Sequence, residues 1–151
     1  MIEMKVAGIA LDAVSRSPII LLKDASDRRA LPIYISQEQA KAIINALEKQ
    51  TPPRPFTHDI FDSCDIKVAR ITIDSLQDNT FYASIVIDHN GQLKEIDARP
   101  SDAIAVAIRT KAPIWVIEEV IADASIPVDR DADEQERQAF RSFVSNLSPD
   151  D

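Results

Sequence analysis

The chain has 151 residues, 45% hydrophobic and 28% charged, with a formal net charge of −8. This suits one globular domain that buries about two-thirds of its unfolded surface and needs no metal or disulfide staples. Two glycines, Gly8 and Gly91, exclude a Walker loop, a dinucleotide fingerprint and a nucleophile elbow, each of which needs several glycines close together. One cysteine, Cys64, and two histidines, His58 and His89, exclude an internal disulfide, Cys-based zinc clusters and an HExxH site.

The charge is unevenly spread. Ten acids and three arginines between Glu118 and Asp151 give that segment −7 and leave residues 1–117 at −1. The low pI therefore belongs to the C-terminal segment, and a local basic patch on the neutral body stays compatible with nucleic acid. Met1 to Lys5 shows no basic region followed by an apolar run, and the most apolar windows, 18–22 and 103–108, fall far short of a membrane span. A cytoplasmic protein without a membrane partner is expected.

In chain order, residues 3–14, 18–23 and 31–35 read as strands. Ser36-Gln37-Glu38-Gln39 has the form of a capping box, and Ala40, Ile43, Ile44 and Leu47 then share one helical face, ended by Pro52-Pro53. Residues 66–74 are rich in β-branched side chains, and 80–88 alternate Phe81, Ala83, Ile85 and Ile87 on one face. His89-Asn90-Gly91 predicts a tight turn into a return strand at 92–98. Ser101 is placed to cap a helix over 102–111 that is apolar all round from Ala103 to Ile108, and hence buried. A short buried strand at 114–117 and a last helix over roughly 132–147 complete the pattern. The fold expected is α+β: one domain with a mixed, largely antiparallel, roll-like sheet packed with helices. The domain should span residues 1–122, with 123–151 as an acidic helical extension.

Four polar clusters lie where the chain changes direction. In Asp97-Ala98-Arg99-Pro100-Ser101-Asp102, two carboxylates suit a hard divalent cation, Arg99 suits a phosphate, and the helix N-terminus offers free N–H groups to an anion. Alternatively, Arg99 pairs with Asp97 or Asp102 and pins strand to helix. In Arg54-Pro55-Phe56-Thr57-His58-Asp59, His58 can act as a base or a ligand oriented by Asp59; alternatively Thr57 is an N-cap and Asp59 a first-turn acid. Adjacent residues diverge on a helix, so His58 and Asp59 make a poor dyad by themselves. Glu38, inside the capping box, is free for a further role. Asp129-Arg130-Asp131-Ala132-Asp133 imitates the start of a calcium loop, but Glu134 and Phe140 occupy its glycine and bidentate-acid positions, so the motif fails. His89 should be exposed in its turn, and Cys64, with no base nearby in sequence, should be a buried inert thiol.

Leu31-Pro32-Ile33-Tyr34-Ile35, Pro53 to Asp59, Thr80-Phe81-Tyr82-Ala83, Asp97 to Ala105 and Ala112-Pro113-Ile114-Trp115-Val116 occur in one order. Together they resemble the bifunctional nuclease domain family of bacteria and plants over about residues 4–122. The N-terminal wording and Ala122 to Asp129 look closest to cyanobacterial members. The resemblance implies a self-associating α/β roll-like domain, hence a homo-oligomer, with activity on DNA and RNA. This chain departs from the family's I-G-x-x-E-A at Ser36 and Gln39, where an amide replaces an acid and can neither carry charge nor take a proton. The helix after Asp59 is also about one turn short.

The resulting expectation is metal-assisted hydrolysis of nucleic-acid phosphodiesters. Asp97 and Asp102 hold Mg²⁺ or Mn²⁺, His58 serves as base or leaving-group acid, and Arg54, Arg99 and Ser101 contact the substrate. The competing reading is a non-catalytic homo-oligomeric binding or regulatory module for a protein or small anion.

Overall fold

The computed structural model describes residues 1–50 and 53–128; the helix expected at 132–147 lies outside them. Eight strands form one open sheet in the order β6-β5-β4-β7-β1-β2-β3-β8, antiparallel throughout except where β4 and β7 run parallel. They are β1 (Ile2–Leu11), β2 (Pro18–Asp24), β3 (Arg29–Tyr34), β4 (Lys67–Gln77), β5 (Thr80–His89), β6 (Gln92–Ala98), β7 (Ile114–Val116) and β8 (Ile126–Pro127). The α+β class and the largely antiparallel sheet are as expected. The sheet continues past residue 122, because Ala30 and Arg29 of β3 pair with Ile126 and Pro127.

Local chemistry explains most boundaries. β1 stops at Leu11 rather than at 14, because the Asp12 carboxylate accepts the Val14 N–H at 3.0 Å and turns the chain. Asn90 and Gly91 both have positive φ, 53° and 83°, the geometry of a tight hairpin turn joining β5 to β6.

The helices are α1 (Gln37–Leu47), α2 (Ile60–Ser63), α3 (Pro100–Thr110) and α4 (Glu118–Ala124), with a single 3-10 turn at Thr57–Asp59 leading into α2. α1 opens on the expected capping box: the Gln39 N–H donates to Ser36 Oγ at 3.2 Å, and the Ser36 N–H donates to Gln39 Oε1 at 2.9 Å. α3 opens earlier than the sequence suggested. Arg99 is its N-cap, Pro100 takes the first helical position, and Ser101 falls inside the first turn instead of capping it. Proline is suited to that place, since its missing N–H would have no intrahelical partner there.

α1 and α3 pack against each other, and α3 against β4 and β5. Ile43, Ile71, Ile73 and Ile104 are fully buried in the shared core, each such side chain contributing about 2 kcal/mol of transfer free energy. Ala42 and Ala105 are also buried, and their small size lets the two helices approach. Cys64, expected inside, is exposed: it directly follows the four-residue α2 on the surface. His89 is exposed as expected.

Candidate active site at the convergence of three helix starts

The starts of α1, α3 and the 3-10 turn meet around a cleft of about 460 Å³. Ser36, Glu38 and Gln39 come from the start of α1; Arg99, Ser101 and Asp102 from the start of α3; Phe56 and His58 from the 3-10 turn. Unpaired N–H groups at helix starts make such a place favourable to anions.

Asp102 carries the main contact. Its Oδ1 lies 3.0 Å from His58 Nε2, and since a carboxylate can only accept, Nε2 must bear the hydrogen. The other carboxylate oxygen has no partner among the described residues, and the side chain is 46% exposed. The second ring nitrogen of His58, Nδ1, is buried and without a hydrogen-bond partner. His58 thus turns an N–H to Asp102 and its other ring nitrogen into the protein. That is the reverse of a dyad whose imidazole takes a proton from substrate.

Asp59, the next residue, makes a separate ion pair. Arg109 Nε donates to Asp59 Oδ1 at 2.6 Å, and the Phe56 N–H donates to Asp59 Oδ2 at 2.8 Å. Arg109 is 7% exposed and also donates to the carbonyls of Ala42 and Ala105. Partial burial works against the Asp59 charge, but the hydrogen bonds from Arg109 and Phe56, with the Arg109 and His58 charges, hold its carboxyl below the usual range. Asp102 and Arg109 stand seven residues apart on α3, two turns along one face. His58 and Asp59 therefore act as two rungs fastening the 3-10 turn to that face. Arg109 was not singled out in the sequence; its partner lies 50 residues away, and a cation in a helix's last turn is ordinary.

The remaining candidates fall into two groups. Arg99 lines the cleft, exposed, and makes no side-chain cap and no ion pair with Asp97 or Asp102, so it does not pin strand to helix. Ser101 lines the cleft while only 5% exposed, and its hydroxyl has no partner among the described residues. Arg54 is exposed in the bend before the 3-10 turn and does not line the cleft. Asp97 is exposed on β6 opposite Ser84 and does not line it either. Thr57 does not cap; Asp59 performs that service by accepting the Phe56 N–H. Ser36 and Gln39, the two departures from the family's wording, hold each other at the cleft rim.

Residues 20–129 match the bifunctional nuclease domain. The chain belongs to that family. Proteins of Mycobacterium tuberculosis strains H37Rv and CDC 1551, each named only as an uncharacterized protein, are 38% identical to it over 99% of this chain and 96% of theirs. A protein named bifunctional nuclease 1 in Oryza sativa subsp. indica is 27% identical over 113 residues, 70% of this chain and 34% of the rice protein. These relatives are mycobacterial and plant; the cyanobacterial likeness rests on wording alone. Two of the blocks that carried the family resemblance, Pro53 to Asp59 and Asp97 to Ala105, contribute residues to this cleft.

Among the described residues no helix is long and apolar enough to cross a membrane, and no group of three His, Cys, Asp or Glu side chains is placed to hold a metal. The cleft does hold two carboxylates, Asp102 and Glu38, neither paired with a lysine or arginine among the described residues. Such a donor set suits a hard cation that keeps most of its water and shares a substrate phosphate, as Mg²⁺ does.

Proposed function

We propose that this cleft hydrolyses phosphodiester bonds of nucleic acid, DNA and RNA alike. The observation that carries the reading is Asp102: one oxygen fixed by His58, the other unpartnered among the described residues, in the cleft that Arg99 and the largely buried Ser101 also line. A divalent cation such as Mg²⁺ or Mn²⁺, held by Asp102 with Glu38, would polarise the phosphate and lower the pKa of the attacking water. The protein's own groups supply the rest. His58 orients the Asp102 carboxylate through its Nε2–H. Arg99, the Ser101 hydroxyl and the free N–H groups of the α3 start neutralise charge as the water oxygen bonds to phosphorus and the leaving oxygen departs. In this arrangement His58 positions rather than takes the proton, which the attacking water gives up to solvent while the leaving oxygen takes one from solvent, and Asp97 stands outside the reacting set.

A second reading keeps support from one contact. Gln39, where the family usually has an acid, spends its carbonyl on the Ser36 N–H. A non-catalytic binding module therefore fits the cleft rim, and it predicts nucleotide or protein binding without cleavage.

The test is cleavage of single- and double-stranded DNA and RNA with Mg²⁺, Mn²⁺ or EDTA, comparing the parent with Asp102→Asn purified in parallel. Metal-dependent cutting that disappears in the variant is the expected result. Equal cutting by both, or none by either, removes the nuclease reading.

A further inference from the structure

We infer that the cleft takes a single unpaired nucleotide, with Phe56 as the surface on which its base rests. The inference deepens the nuclease reading and rests on it in taking nucleic acid as the ligand.

Two features of the lining match two parts of a nucleotide, its phosphate and its base. At the start of α3, Ser101 is 5% exposed, and neither its hydroxyl nor the Arg99 side chain beside it has a partner among the described residues. The hydroxyl itself is open to the cleft rather than sealed in the core, so a ligand there can take the place of its water. Its position follows from Pro100 occupying the first helical place, which relieves Ser101 of capping. A phosphate oxygen satisfies that hydroxyl, the neighbouring N–H groups and Arg99 together.

The same cleft is lined by Phe56, partly exposed, its backbone fixed by the hydrogen bond to Asp59, which Arg109 holds in turn. Ala42 and Ala105 also line the cleft and add apolar surface with little side-chain bulk. A rigid aromatic facing an anion site is the pairing used to hold single strands, because every base has a stacking face.

Size and pairing then select the substrate. The cleft, about 460 Å³, lies in the range of about 300–1,000 Å³ typical of small-molecule sites. Inorganic phosphate alone leaves most of it unfilled. Inside a duplex both faces of a base are already stacked, so only an unpaired base reaches Phe56. Single strands, loops and frayed ends are therefore the preferred substrates, and a nucleoside monophosphate is a competitive ligand.

The experiment titrates adenosine 5′-monophosphate, ribose 5-phosphate and inorganic phosphate by calorimetry into the parent, Phe56→Leu and Ser101→Ala. Thermal unfolding of each variant is run alongside. Leucine keeps most of the volume and removes the stacking face. We expect Phe56→Leu to weaken the monophosphate at least about fivefold, the loss of one base–aromatic stack, and to leave ribose 5-phosphate unchanged. Ser101→Ala should weaken both. In cleavage assays the parent should cut an unpaired strand at least about fivefold faster than the same sequence in a duplex, the same single stack. Equal affinity for the monophosphate and inorganic phosphate, or no effect of Phe56→Leu, overturns the inference. The two readings fail separately. Equal cutting of both strand forms with no dependence on Phe56 sinks the single-nucleotide site and leaves the nuclease standing. Phe56-dependent binding with no cutting does the reverse.

Discussion

Two adjacent residues, His58 and Asp59, reach the same face of α3 at points seven residues apart, and the two contacts differ in what they leave free. At the far end Arg109 is 7% exposed and each of its three guanidinium nitrogens donates a hydrogen bond: to Asp59, the Ala42 carbonyl and the Ala105 carbonyl. At the near end Asp102 is 46% exposed and gives His58 only one oxygen. The first contact engages all three guanidinium nitrogens and is closed, which is how buried polar groups hold a structure together. The second is held at one side and open at the other, which is how a structure presents a reacting group. One helix thus carries a structural clamp and a candidate reactive group, and burial tells them apart where residue type does not.

Breaking the closed end should have the largest effect on stability. Arg109→Met leaves Asp59 and two carbonyls without their donor and should cost about 3 kcal/mol, measured by urea unfolding. A loss below about 1 kcal/mol would mean that Arg109 is solvated rather than structural.

The open end responds differently. His58→Gln retains an N–H donor but not the ring geometry. It should lower cleavage about tenfold, about 1.4 kcal/mol at the transition state, mostly in kcat, with no new dependence on pH between 6 and 8. A lost pH limb in that interval would instead show His58 acting as the base.

How much of this was visible beforehand depends on the range of the contact. The capping box at Ser36 and the Asn90-Gly91 turn were legible, because three or four consecutive residues settle them. The buried helix and the pairing of 80–88 with 92–98 were legible from periodicity. The start of α3 was misplaced because two rules competed: serine as cap and proline at the first position, and the proline prevailed. α4 escaped notice because seven residues give too short a period to read. In the site, Arg99, Ser101, Asp102 and His58 were named and share one cleft, whereas Arg54 and Asp97 were named and lie outside its lining. The partnerships of His58 with Asp102 and of Asp59 with Arg109 join residues 44 and 50 apart. No local rule reaches that far, and only the packing of the 3-10 turn on α3 reveals them.

Acid should sharpen the same contrast. Asp59 is held below its ordinary range in the folded chain, so the folded state binds its proton less readily than the unfolded state. The stability it contributes is complete above the unfolded value, about 3.9, and is lost as pH falls through the lower folded value. Asp59→Asn should therefore be less stable than the parent at pH 7, with the gap narrowing below about pH 4. A gap that stays constant into acid would show that Asp59 is not held ionised by Arg109.

The smallest change expected is at the rim. Ser36→Ala removes one half of the capping box and should cost about 1 kcal/mol of stability, with cleavage within about twofold of the parent. A larger loss of cleavage would bring Ser36 itself into the site.

The most direct measurement is cleavage per folded molecule by Asp102→Asn and Arg109→Met, side by side with the parent at low temperature. Asp102→Asn should unfold like the parent yet cut at least about a hundredfold more slowly, close to 2.7 kcal/mol of transition-state stabilisation. Arg109→Met should unfold readily yet cut within a few-fold of the parent while it is folded. If Asp102→Asn cuts as well as the parent, or if both variants lose cleavage only in proportion to lost stability, the open end of α3 is not the reactive one.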